Sequence, residues 1–103
     1  MNSYVVNLHP LPNGTQPGQT LTVDNAAVYQ FTTPFDPRTT CCYITITGGD
    51  IHVTFDGSAP SGTNGHHLIV PFEGWWSKEA ARLAKMRAHG GAAAKVVMSQ
   101  FTY

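Results

Sequence analysis

Five histidines (His9, His52, His66, His67 and His89), the neighbours Cys41 and Cys42, and six carboxylates are the side chains of this sequence that could hold a metal or move a proton. A metal site needs several such groups converging on one point. His66 and His67 are adjacent, and on a strand they face opposite ways, which is poor geometry for joint ligation. No Cys-x-x-Cys, His-x-His or His-Glu-x-x-His spacing occurs. Asp50 and Asp56 bracket His52. Exposed or hydrogen-bonded histidines are the expectation, with no metal and no cofactor.

Nucleophilic chemistry has equally little support. No Gly-x-Ser-x-Gly elbow is present to strain a serine into position. Cys41 and Cys42 lack a basic neighbour in sequence that would lower a thiol pKa, and read as small residues filling a strand. On a strand they point to opposite faces, so they do not readily bridge each other. The acids are scattered singly, without the pairing of glycosidase carboxylates. The glycines of 57–65 and Gly90-Gly91 are not followed by the Gly-Lys-Ser/Thr of a phosphate-binding loop. The expectation is a chain that is not an enzyme.

Binding residues stand out more clearly. Trp75-Trp76 on a strand would put one ring into the core and one outside, and tryptophan is enriched at buried interface centres. The outer ring could instead stack on a sugar, or both could pack internally if the chain bends at Gly74. Arg82, Lys85 and Arg87 follow closely, as in some single-strand nucleic-acid sites, but the net charge is zero and no long basic run exists. Neither nucleic acid nor a membrane is an expected partner.

Composition agrees with a role in contact. Charged residues are 12% of the chain, about half the roughly 25% usual for globular domains. Hydroxyl and amide surface costs less to dehydrate than ionised surface. Asp24, Asp36, Asp50, Asp56 and Glu73 against Arg38 give residues 1–77 a net charge of −4. Lys78, Arg82, Lys85, Arg87 and Lys95 against Glu79 give the remainder +4. Copies could meet head to tail through this asymmetry, or folding could intermix the two ends. With two cysteines, no signal peptide and no long apolar segment, a reducing cytoplasm is the expected place of synthesis.

The elements that must position these residues are strands. A length of 103 residues fits one domain. Residues 1–15 read as a proline-broken arm and loop, and 16–103 as a β-sandwich domain. Tyr4, Val6 and Leu8 alternate in the arm, which could cross to a neighbour and add a strand to its sheet edge. Strands are predicted over Thr20–Val23, Ala26–Thr32 (with Ala27, Tyr29 and Phe31 on one side), Thr40–Thr47, Asp50–Asp56 and His67–Phe72. Gly48-Gly49 predicts a tight hairpin between the third and fourth of these. Ser77 predicts a cap for a short helix over 78–84, followed by strands Lys85–His89 and Ala94–Phe101 about a turn at Gly90-Gly91. A helix extended to His89 is the alternative. Seven or eight short strands with frequent turns imply an all-β fold, a β-sandwich or jelly roll with at most one short helix.

The stretch Val53–Leu68, with its Phe-Asp-Gly-Ser turn and small-residue loop, resembles a pattern in small structural proteins of tailed bacteriophages. The segment Trp76–Phe101, with an Ala-rich stretch and a closing Val-Val-Met-Ser-Gln-Phe strand, is similar as well. The resemblance covers the second half of the chain. It implies a virion protein on the capsid surface, best matched to a decoration or cement protein that binds the major capsid protein and self-associates, with a trimer favoured. Head-fibre or tail-associated proteins, and a virion-displayed carbohydrate-binding module, are the alternatives. The expected contact residues are Tyr4, Leu8, His66, His67, Trp75 and Trp76.

Overall fold

A computed structural model of the chain describes residues 9–11, 18–60 and 67–102. Its strands are β1 (His9–Pro10), β2 (Gly18–Val23), β3 (Cys41–Thr47), β4 (Ile51–Thr54), β5 (His67–Ile69), β6 (Phe72–Ser77), β7 (Lys85–Ala88) and β8 (Ala94–Thr102), with one helix, α1 (Lys78–Leu83). They form two antiparallel sheets. In the larger, β8 pairs with β3 on one side and with β1 and β2 on the other, and β6 is added beyond β3. The smaller runs β5-β4-β7. Tyr29 adds a single bridge to the far side of β7, with Tyr29 N–H and Met86 N–H each donating to the other's carbonyl at 2.8 Å.

The order β2-β8-β3-β6 over Tyr29-β7-β4-β5 has the first long strand beside the last and consecutive strands mostly in opposite sheets. That connectivity makes the sandwich a jelly roll, the double-sheet form of all-β folds.

Alternation in the sequence explains which face of each strand is inside. Cys42, Ile44 and Ile46 of β3 and Ala94, Val96 and Met98 of β8 are buried, while the residues between them are not. Ile51 and Val53 of β4 and Met86 and Ala88 of β7 meet them from the other sheet, and Ala81 and Ala84 close the core at the helix end. Burying a large aliphatic side chain is worth about 1.5–3 kcal/mol. A one-residue slip would reverse the faces of these strands, so the register is strongly fixed.

The expected hairpin between β3 and β4 does not form. Gly48 and Gly49 carry the chain from one sheet to the other, so β3 pairs with β6 and β8, and β4 with β5 and β7. Gly48 takes φ +88°, and a Cβ there would lie 3.1 Å from the Ala93 carbonyl oxygen. Each strand has one apolar face, and turning the chain over between layers buries both. The local hairpin is instead β4 with β5.

Two other expectations are corrected. Ala26–Thr32 is not a strand: the Ala26 N–H donates to Asp24 Oδ1 at 2.9 Å, turning the chain, and Ala27 is exposed whereas Phe31 is buried. His67–Phe72 is split at Val70-Pro71 into β5 and β6, in different sheets. The charge asymmetry leaves two outcomes open, a separate basic pole or intermixed ends, and the second is found. Arg87 donates to the Asn25 carbonyl at 2.8 Å and Lys78 Nζ to the Asp36 carbonyl at 3.4 Å, so the two ends intermix.

The end of the chain follows its prediction closely. Ser77 Oγ caps α1 by accepting from the Ala80 N–H at 3.1 Å. α1 stops at Leu83, and β7, a bend through Gly90 (φ +83°) and β8 follow. Of the arm, His9-Pro10 pairs with Phe101-Thr102 of this chain's own β8, and the Leu11 N–H donates to the Gln100 carbonyl at 3.2 Å. Tyr4 and Leu8 lie outside the described residues.

Candidate functional site

The strands place a row of aromatic rings on the outer face of the larger sheet. Trp75 of β6 lies directly opposite Tyr43 of β3, and Cys41, two residues earlier, is opposite Phe101 of β8. Odd-numbered residues of these strands point away from the core, so all three rings share that face. Trp75 stands edge-on to Tyr43, with centroids 5.0 Å apart, and to Phe101 at 4.9 Å. Edge-to-face pairs of this kind add about 0.5–1.5 kcal/mol beyond burial. Trp75 nonetheless remains 50% exposed, and Val97 nearby is 37% exposed.

The same face is almost uncharged. Among the described strand residues, only Glu73 and Lys95 contribute ionised groups to it. The Tyr43 hydroxyl donates to Glu73 Oε1, and this bond, with a smaller contribution from burial, raises the Tyr43 pKa above its usual value. Beside Glu73 is a shallow, open depression of about 250 Å³ lined by Thr45, Ile46, Thr47, Pro71 and Phe72.

Trp76 has the opposite fate. Its ring turns inward, packs against the core and meets Phe55 edge-on at 5.3 Å. One tryptophan inside and one outside is the outcome expected of neighbours on a strand, and Trp75 is the one available for contact. His67 is exposed, with its ring 6.0 Å from Phe55. His66 lies outside the described residues. Tyr43, Phe101 and Glu73 were not foreseen as contact residues. Their signal was parity: Tyr43 sits between the apolar Cys42 and Ile44, and Phe101 one step after the inward Gln100.

A second cluster covers the smaller sheet. All four residues of β4 are buried, including the outward pair His52 and Thr54. The chain after β4 folds back over them. Thr54 Oγ1 donates to the Ser58 carbonyl, Pro60 is fully buried, and Arg87 Nε donates to the Pro60 carbonyl at 3.1 Å. His52 Nε2 and His89 Nδ1 are 2.7 Å apart, which requires one N–H and one lone pair between them. Among the described residues, no three metal-ligating side chains converge.

The cysteines behave as strand residues. Cys42 is buried and Cys41 half-buried on the other face, and both are free thiols. Burial pushes the Cys42 thiol up to about 12, helped by the neighbouring Cys41, and burial raises Cys41 as well.

These features define an all-β, jelly-roll sandwich with an aromatic, sparsely charged sheet face. Among the described residues, no helix is long and apolar enough to cross a membrane. Comparison with protein-family models, curated proteins and solved structures finds no match.

Proposed function

We propose that this chain is a capsid decoration protein of a tailed bacteriophage, binding the outside of the assembled head and stabilising contacts between major capsid proteins. The observation that carries the reading is the Tyr43–Trp75–Phe101 row on a nearly uncharged sheet face. A half-exposed indole supported by two further rings is the kind of anchor that dominates interface energetics. The surrounding threonines and serines dehydrate at modest cost. The jelly roll also occurs in viral capsid domains, which is support by analogy of fold only.

Mechanistically, the chain does no covalent chemistry. Binding the assembled lattice better than free subunits stabilises the lattice by mass action. Many copies on one shell add avidity, so each contact can be modest.

The test is recovery with particles. Tagged chain supplied during infection should band with intact heads at fixed stoichiometry, and Trp75→Ala should remove it. Absence from heads, or equal binding to unassembled capsid subunits, would sink the reading.

One observation favours a second reading, a virion-displayed carbohydrate-binding module. Trp75 is half-exposed two residues from Glu73 on the same strand face, and Glu73 lines a shallow depression, so an aromatic face and a carboxylate are both offered to a sugar ring. Glycan-array binding by the isolated chain, lost in Trp75→Ala, would select it.

A further inference from the structure

Among the described residues β6 ends the larger sheet on its side, and the hydrogen-bond pattern shows which of its backbone groups point away from β3. The Lys78 N–H donates to the Thr40 carbonyl at 3.2 Å, continuing the register in which Cys41 faces Ser77. Even-numbered residues of β6 therefore point their N–H and C=O groups at β3. The Leu11 bond to the Gln100 carbonyl gives the same answer from the far side of the sheet: even-numbered groups of β8 point at β1, so its odd ones point at β3. By alternation, Glu73 and Trp75 direct their N–H and C=O groups away from β3, out of this edge. Pro71 bounds this edge on one side, and Ser77, turning into α1, bounds it on the other.

This stretch is lightly protected: Glu73 is its one charge, no lysine and no proline lies within Phe72–Ser77, and β6 has regular alternation without a bulge. The opposite lateral side differs, since Tyr29 and the Asp24 carbonyl, which accepts from the Ala88 N–H at 3.0 Å, cover β7. Trp75 at 50% exposed and Val70 at 57% belong to the β6 side.

We propose that β6 pairs antiparallel with β6 of a second copy about a two-fold axis at Gly74. This contact does not depend on the capsid reading. Glu73 of each copy then lies opposite Trp75 of the other, and the N–H and C=O of both residues are all used, giving four backbone hydrogen bonds from two residues per copy. The neighbouring registers fit less well. Shifting one way sets Glu73 against Glu73 and brings in Pro71, which has no N–H. Shifting the other way draws on the Ser77 carbonyl at the start of α1. The chosen register opposes no like charges, and inside it sets Phe72 against Trp76. Being isologous, it closes at two copies, and so makes a dimer the unit where the resemblance implies a trimer.

Sedimentation velocity from micromolar to millimolar concentration should give a species of twice the 11.1 kDa chain mass. Glu73→Pro should sediment as a monomer with an unchanged circular-dichroism spectrum, because the N–H it removes is not used by β3. In a Cys41→Ser background, Glu73→Cys with Trp75→Cys should cross-link on oxidation into a dithiothreitol-sensitive dimer, since directly opposed residues are within disulfide reach. A monomer or trimer at every concentration overturns the proposal. So does a dimer that survives Glu73→Pro while the cysteine variant fails to cross-link.

Discussion

The Trp75 ring meets the Tyr43 ring edge-on across the β3–β6 pair, 5.0 Å between centroids, with half of the indole still open to solvent. Its immediate neighbour Trp76 is turned into the core. The two substitutions should therefore separate cleanly. Trp75→Ala should cost about 1 kcal/mol of stability, roughly the worth of an exposed aromatic pair. Trp76→Ala should cost about 3 kcal/mol, because it leaves a void between the sheets. Urea denaturation of the two variants checks this, and equal costs would mean that Trp75 is a packing residue.

The Tyr29 hydroxyl donates to Asp24 Oδ1 at 2.7 Å, and the Ala26 N–H donates to the same oxygen. The Tyr29 bond is the main cause that lowers the Asp24 pKa below 3.8, and the Asp24 bond is the main cause that raises the Tyr29 pKa above 10.0. A depressed carboxylate pKa stabilises above its unfolded value and loses that effect as pH falls through the folded one. A raised phenol pKa stabilises below its unfolded value and loses that effect as pH rises through the folded one. The pair should thus be intact between about pH 4 and pH 10, with losses on both flanks. Melting temperature against pH for Tyr29→Phe should show shallower flanks than the native chain; superimposable profiles would remove the pair from the stability account.

Burial, not sequence neighbourhood, sets the reactivity of the vicinal thiols. With Cys42 near 12 and Cys41 also raised, both should be poor nucleophiles at neutral pH. Iodoacetamide at pH 8 should modify Cys41 slowly and leave Cys42 untouched, while both should react in urea. Mass mapping of the alkylated peptides gives the order, and prompt labelling of Cys42 in the folded chain would contradict the buried placement.

Gly48 and Gly57 share φ +88°, but their surroundings differ. A Cβ at Gly48 meets the Ala93 carbonyl oxygen at 3.1 Å, whereas nothing lies within 4 Å of one at Gly57. Gly57→Ala should cost about 1–2 kcal/mol, the strain of a left-handed alanine. Gly48→Ala should cost more, since the carbonyl must also move. Thermal melts of the two variants decide the ranking.

Much of this arrangement was legible in the residues. Period-two alternation in Cys42-Ile44-Ile46 and Ile51-Val53 identified strands and their buried faces, and Ser77 marked the start of the helix. What could not be read was pairing. Gly48-Gly49 permits a hairpin and an inter-sheet turn alike, because both need positive φ from a glycine, and only the distant partners β6, β8, β5 and β7 decide between them. Ala26–Thr32 carried strand-like residues, yet Asp24 captured the Ala26 amide and bent the chain away. On the binding face, Trp75 was visible as half of a Trp-Trp pair. Tyr43 and Phe101 were not, since their meeting depends on β8 lying beside β3.

The glycine turn between β3 and β4 also has a kinetic consequence. Strands consecutive in sequence lie mostly in opposite layers, so few early contacts reward the chain for forming one turn at a time. The central pairing joins Cys41–Thr47 to Lys95–Phe101, which is closed across half of the chain's length. Loop entropy must be surrendered before that ladder returns anything, which places folding in the slow, millisecond-to-second range typical of sandwiches of high contact order. While the ladder is incomplete, the β3 segment presents an unpaired apolar strand, and self-association competes with productive closure at that stage.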